Sequence, residues 1–260
     1  MSAALLVEAV VLRTERVAPD HYRLVLQAPE VARAARPGQF VMVRCGSAWD
    51  PLLRRPFSVA GVDREAGAVT LLFRVVGRGT ALLAGTAPGD VLSLLGPLGR
   101  GFTLPQAAEA AAIIGGGMGL APLLFLAREL LARGCRVRVL AGARSRQYLF
   151  VPEPAPGCEV LVATEDGSAG RPGPVTALLP FVEPEVRRYY ACGPREMLRA
   201  VAAEMKRRGL PGEVCLEERM ACGVGACRGC VCRVLRGERA TYATVCAEGP
   251  VFPAGEVCWE

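Results

Sequence analysis

Histidine and lysine are almost missing from this 260-residue chain: His21 is the only histidine and Lys206 the only lysine. No paired carboxylates accompany the glycine- and cysteine-rich motifs. The residues that usually carry general acid–base chemistry on an organic substrate are therefore scarce. His21 itself is expected at the surface, just ahead of the strand that opens at Tyr22. Aromatics make up 6% of the residues. The net charge of +6 is spread over scattered arginines. A chain that follows a nucleic-acid backbone needs a basic block, often with interleaved aromatics, so nucleic-acid binding is disfavoured. The N-terminal run Met1–Glu8 has no basic region and is broken by Glu8, unlike a secretory signal.

A spanning helix is also disfavoured. The longest uncharged stretch, Ala110 to Ala127, carries Gly115, Gly116, Gly117 and Gly119 in its middle and Pro122 soon after. These residues break a helix and punctuate a strand–loop–helix unit instead. Eleven cysteines with no export signal argue against a full disulfide framework. No membrane contact and a cytoplasmic location are expected.

What is present divides into three parts. Up to about residue 103, short apolar or alternating runs (7–12, 22–26, 40–44, 69–76) are separated by Pro37-Gly38, Gly61, Gly67, Pro88-Gly89 and Gly96-Pro97. That rhythm predicts a small antiparallel β-barrel. From Ala110 buried-strand runs alternate with helices: 110–114, a helix carrying Pro122, then 136–140, 158–163, 188–192 and a helix over 195–208. Such alternation predicts a doubly wound parallel sheet. The last fifty residues are too few for a core of their own, and a metal centre is expected to organise them. The fold class is α+β multidomain, with boundaries at 1–103, 104–210 and 211–260.

Cys222, Cys227, Cys230 and Cys246 give C-x4-C-x2-C-x15-C. The first three have the spacing of plant-type [2Fe–2S] ligands, and Gly223, Gly225 and Gly229 let the loop turn its N–H groups inward. A structural zinc site is the competing reading, but it usually presents two C-x2-C pairs. Cys232 is a rival ligand, expected to face away on a following strand. Cys45, Cys135, Cys158 and Cys215 read as small buried thiols.

Arg55-Pro56-Phe57-Ser58 offers a guanidinium to a pyrophosphate, a ring to pack on a flavin and a hydroxyl near its reactive nitrogen. Leu72, Phe73, Arg74, Gly79 and Thr80 supply the context. Gly79 and Thr80 could offer a backbone and a hydroxyl donor to phosphate. The turn Gly115-Gly116-Gly117-Met118-Gly119 ends a strand and opens a helix, placing N–H groups at a pyrophosphate. Cys192-Gly193-Pro194 closes another strand at the carboxyl edge of the sheet, where ligands bind in this architecture. The turn is not G-x-G-x-x-G, and no acid closes the second strand at Ala143-Arg144, which disfavours a plain Rossmann dehydrogenase.

Taken in order, Arg-x-Phe-Ser, the glycine turn and Cys-Gly-Pro resemble the ferredoxin–NADP reductase superfamily. The tail from Leu216 through Cys230 and around Cys246 is similar to the electron-transfer subunits of class 1B dihydroorotate dehydrogenase. That resemblance covers essentially the whole chain. It implies FAD on Arg55–Ser58, Leu72–Arg74 and Gly79–Thr80, a [2Fe–2S] cluster on the four cysteines, and NAD at the glycine turn and Cys192–Pro194. It also implies an FMN-bearing dihydroorotate dehydrogenase catalytic subunit as partner, in a heterotetramer serving pyrimidine biosynthesis. NAD is expected over NADP, although Arg144 and Arg146 follow the second strand where a 2′-phosphate could bind. An NADPH–ferredoxin oxidoreductase subunit and a zinc-stabilised redox-sensing module are the alternatives.

Overall fold

The computed structural model describes residues 4–46, 49–151 and 155–259. Met1–Ala3, part of the run read for a signal, lie outside them. Six antiparallel strands close a barrel in the order β1-β2-β5-β4-β3-β6. They are β1 (Leu5–Ala18), β2 (His21–Gln27), β3 (Phe40–Val43), β4 (Arg55–Asp63), β5 (Ala68–Arg74) and β6 (Val91–Leu98), with two short helices, α1 (Pro29–Ala34) and α2 (Arg78–Ala84), between them. Inward residues such as Leu24, Leu26, Val41, Val43, Val59, Leu71 and Leu94 fill the barrel and are fully buried. Gly96-Pro97, expected to separate strands, lies inside β6 instead. A Cβ at Gly96 would stand 2.8 Å from Val41 Cγ1, so the glycine serves close strand packing rather than a turn.

The second layer is a seven-stranded sheet in the order β10-β9-β8-β7-β11-β12-β15. Its strands are β7 (Ala110–Gly116), β8 (Arg136–Ala143), β9 (Cys158–Thr164), β10 (Arg171–Pro172), β11 (Val186–Cys192), β12 (Gly212–Cys215) and β15 (Val251–Pro253). The uncharged stretch Ala110–Ala127 divides into β7, a short turn and helix α3 (Leu120–Ala132). Among the described residues no helix is long and apolar enough to cross a membrane. Helix α3 buries Leu120, Leu123, Leu126 and Leu130 on one face of the sheet, with Ile113 and Val139. Helix α4 (Arg195–Arg207) buries Leu198, Val201, Ala202 and Met205, an i, i+3, i+4, i+7 stripe, on the other face. Every neighbouring pair is parallel except the last: β15 runs antiparallel to β12, with Val214 opposite Phe252.

The cysteine-rich tail is therefore tied into the sheet. β12 extends the parallel order and β15 adds an edge strand. Between them stand the cysteine loop and a hairpin of β13 (Val231–Arg236) and β14 (Arg239–Thr244). One apolar cluster joins all three parts: Met42 and Leu98 of the barrel, Leu198 of α4, and Cys230, Val245, Cys246 and Phe252 of the tail. A segment too short for its own core borrows one from both neighbours.

Candidate functional site

Main-chain N–H groups stitch the four spaced cysteines together. Gly225 N–H donates to Cys246 Sγ at 3.1 Å, and Val224 and Cys227 N–H donate to Cys222 Sγ at 3.4 Å. Cys246 N–H donates to Cys230 Sγ at 3.4 Å, and Gly229 N–H to Cys227 Sγ at 3.5 Å. All four sulfurs thus accept from the loop, as cluster thiolates and their surroundings require. Gly223 and Gly225 adopt φ of +75° and +82°, which turns these donors inward at no steric cost. A Cβ at Gly223 would stand 2.6 Å from Met42 Cγ, so the loop also sits directly on the barrel.

Environment separates the thiols. Burial opposes ionisation of Cys222, but the Cys227 and Val224 N–H groups outweigh it and hold the thiol near 6. Burial, then contact with the Cys230 thiol, pushes Cys246 up to about 12. Cys232 lies on β13, buried, with its thiol pushed up to about 11 by that burial. It takes no part in the N–H···S set. Among the described residues no group of three or more His, Cys, Asp or Glu side chains is arranged to hold a single metal ion. The loop has a single C-x2-C pair, which suits four thiols shared two per iron better than a zinc site, where two such pairs are usual.

Beside this loop opens a cavity of about 370 Å³, lined by Arg55, Pro56, Phe57, Ser58, Leu72, Phe73, Arg74 and Thr80, and closed by Leu216, Met220 and Pro250 of the tail. The Arg55 guanidinium donates only to main-chain carbonyls, to Leu53 O at 2.6 Å. Arg55, Arg74 and Arg144 have no carboxylate partner among the described residues, so their charge is available to an anion. Phe57 and Phe73 tilt against each other, centroids 5.5 Å apart. These residues fit a flavin with its pyrophosphate. Thr80 differs from expectation: its hydroxyl donates to Gly77 O and accepts from Val76 N–H, so its proton is already committed to the turn. Gly79 does not line the cavity; it packs against Arg55 and Cys45.

A second cavity, about 480 Å³, is lined by Gly116, Gly117, Gly119, Gly193 and Pro194. A Cβ at Gly119 would collide with the Cys192 carbonyl, and one at Gly116 would come 2.6 Å from Met197 Sδ. The two turns therefore approach as only glycines permit, above the positive end of α3. Gly115 and Cys192 sit beneath this wall rather than on it. Gly115 packs under Leu120, and Cys192, fully buried, lies beside Cys215 on the adjacent strand. Contact with the Cys215 thiol, then burial, drives the Cys192 thiol well above its ordinary range.

Arg74, Met118 and Glu217 line both cavities, so the two spaces meet there. Glu217 is exposed to the cavity, yet the protein mass around it raises its carboxyl. Sequence reasoning missed Glu217, and also Glu165, which lines the larger cavity with Arg144. The signal available was position: each follows the carboxyl end of a parallel strand. The lone histidine was expected at the surface, but His21 is 7% exposed and lines the larger cavity. Its place at the start of β2 hid this, because the loop that covers it comes from the other domain.

A flavin-type barrel, a dinucleotide-type sheet and a cysteine loop of the iron–sulfur kind, arranged in series, are the layout of iron–sulfur flavoprotein reductases. Residues 8–102 match the oxidoreductase FAD-binding domain family, and residues 217–258 match the iron–sulfur cluster binding domain of dihydroorotate dehydrogenase B. Over its length the chain is 45% identical to a dihydroorotate dehydrogenase B (NAD(+)) electron transfer subunit of Desulforamulus reducens, covering 97% of this chain and 98% of that one. It is 46% identical to the Geobacillus kaustophilus protein of the same description, covering 93% and 94%. Among solved structures, that of an NADH-dependent reduced ferredoxin-NADP oxidoreductase superposes with a TM-score of 0.84 at 30% identity, over 96% of this chain and 90% of that one. The chain belongs to the family of dihydroorotate dehydrogenase B (NAD(+)) electron transfer subunits.

Proposed function

We propose that the chain links an FMN-bearing dihydroorotate dehydrogenase catalytic subunit to NAD⁺ in pyrimidine biosynthesis. In this reading residues 1 to about 103 hold FAD, 104–210 hold NAD, and 211–260 carry a [2Fe–2S] cluster on Cys222, Cys227, Cys230 and Cys246. FAD supplies the exchange between single electrons and a hydride when bound. The chain's own residues position and insulate. Arg55 pairs with the flavin pyrophosphate, Phe57 and Ser58 face the ring system, and the glycine turns receive the dinucleotide pyrophosphate. Leu216, Met220 and Pro250 exclude water between flavin and cluster.

One observation carries the proposal: Leu216 and Met220, in the segment that leads into the cysteine loop, line the flavin cavity, and that cavity meets the dinucleotide cavity at Arg74, Met118 and Glu217. Three sites in series make a route with the cluster at its outer end, where Val224 and Cys227 are exposed. The catalytic partner docks there, in a heterotetramer of two of each chain, and the assembly works in the cytoplasm. The experiment is purification with iron, sulfide and flavin analysis and a visible spectrum, followed by NADH-dependent dye reduction. A colourless protein refutes the proposal.

Likeness to the NADH-dependent reduced ferredoxin-NADP oxidoreductase favours a second reading, a subunit of such an enzyme. Reduction of ferredoxin, with no dihydroorotate oxidation when the FMN-bearing partner is added, distinguishes it.

A further inference from the structure

His21 is the only histidine, and the mechanism above does not use it. It heads β2, opposite Arg74 of β5 in register. Asp20 before it holds φ of +58°, and that turn carries the side chain inward. The imidazole then leaves the barrel and meets the sheet domain: its centroid lies 5.4 Å from the Tyr148 ring and 5.3 Å from the Phe150 ring. Both rings belong to the segment after β8. His21, Tyr148 and Arg74 all line the larger cavity.

A histidine that only fills space between domains is the plain alternative, and the ring contacts alone would satisfy it. The nitrogens argue otherwise. Nδ1 lies 2.6 Å from Pro19 O, which as a carbonyl can only accept, so Nδ1 carries the hydrogen. In the neutral ring Nε2 is then an acceptor. No hydrogen-bond partner for it exists among the described residues, although the side chain borders the cavity. Nε2 is open to the cavity rather than sealed in the packing, so it can accept from a bound molecule, which a phenyl ring could not.

We propose that His21 contacts the bound dinucleotide, with Nε2 accepting a hydrogen bond from a hydroxyl or amino group of NAD(H). The barrel thereby contributes a specific contact to a site whose glycine turns come from the sheet. This rests on the reading that the larger cavity takes NAD(H), and the controls separate the two.

Iron, sulfide and flavin per chain, and NADH-dependent dye reduction, are measured first on the wild-type protein; failure there refutes the functional reading, not this contact. Dye reduction is then compared across His21→Ala, His21→Phe and His21→Gln. His21→Ala and His21→Phe should each raise KM for NADH roughly three- to tenfold, the range of one net hydrogen bond, with the effect on KM rather than kcat. His21→Gln, whose amide oxygen restores an acceptor, should recover most of it. NAD⁺ titration followed by flavin fluorescence should rank the variants in the same order. Wild-type KM in His21→Phe leaves packing alone and overturns the proposal. So does loss of flavin from both His21→Phe and His21→Gln, which assigns the residue to the barrel.

Discussion

The Gly225 N–H reaches the Cys246 sulfur at 3.1 Å, closing the cysteine loop across the longest gap in its spacing. Gly225 can do this because it holds φ of +82°, with open space on most sides but Ala247 Cβ only 3.1 Å from where a Cβ would stand. An L-residue there costs roughly 1–2 kcal/mol for the left-handed backbone. Gly225→Ala should therefore lower iron and sulfide per chain and the melting temperature, while flavin content holds.

The same set of donors separates Cys232 from its neighbours. Cys227→Ser should abolish the bound iron and sulfide and loosen the tail, whereas Cys232→Ser should keep both. Retention of iron in a Cys246→Ser variant with loss in Cys232→Ser would falsify the ligand assignment.

Arg55, at the wall of the flavin cavity, has no carboxylate partner among the described residues. Charge-assisted hydrogen bonds to phosphate contribute roughly 1.5–3 kcal/mol each. Arg55→Ala should weaken flavin retention by about ten- to a hundredfold, read as flavin per chain after extensive dialysis. Full occupancy in the variant removes Arg55 from the site.

Dinucleotide choice turns on Glu165. The loop that presents it is internally braced: Thr164 Oγ1 donates to Ala169 O and accepts from Ala169 N–H, and Ser168 donates to Asp166. A carboxylate on a rigid turn facing the cavity disfavours a 2′-phosphate and suits a ribose hydroxyl, offsetting the nearby Arg144. The protein should prefer NADH over NADPH by at least about tenfold in kcat/KM, roughly 1.4 kcal/mol, and Glu165→Gln should erode that preference. The opposite preference in the wild type contradicts the role given to Glu165.

Glu217 gives a pH signature. The protein packed around it raises its folded-state carboxyl above the unfolded value, and solvent at the exposed side chain keeps the effect small. The folded protein then binds the proton more tightly, so stability falls as pH rises through the interval between the two values. Glu217→Gln removes that term. The variant should melt higher than wild type near neutral pH, and the gap should shrink as pH falls toward the ordinary carboxylate range of about 4. A gap independent of pH contradicts the assignment.

Local chemistry made part of this readable before the fold was known. Four thiols within 25 positions, three of them in one nine-residue loop, declare themselves by spacing, and Gly116, Gly117 and Gly119 mark a strand-to-helix turn by composition. What could not be read depended on distant partners. β15 is three residues long, and only its pairing with β12 makes it a strand. His21 looks like a surface residue until Tyr148 and Phe150 arrive from another domain. Thr80 looks like a phosphate donor until its proton is found on Gly77 O.

The two cavities are lined by arginines, glycines and the acids Asp20, Glu165, Glu217 and Glu218, but among the described residues no histidine or lysine there is hydrogen-bonded to a carboxylate. The only histidine already gives its Nδ1 hydrogen to Pro19 O. A route ending at an exposed cysteine loop needs a protein on the far side, and Val224 offers it an apolar contact, 48% exposed. The isolated chain should reduce dyes with NADH yet show no dihydroorotate oxidation. Co-expression with the FMN-bearing partner should create dihydroorotate-dependent NAD⁺ reduction and elute as two of each chain, two-fold symmetry being the commonest closed arrangement. Val224→Asp, a charge placed in the docking surface, should weaken the complex while leaving NADH–dye reduction by the isolated chain intact. Dihydroorotate oxidation by this chain alone, or none in a stable complex, would remove the proposed function.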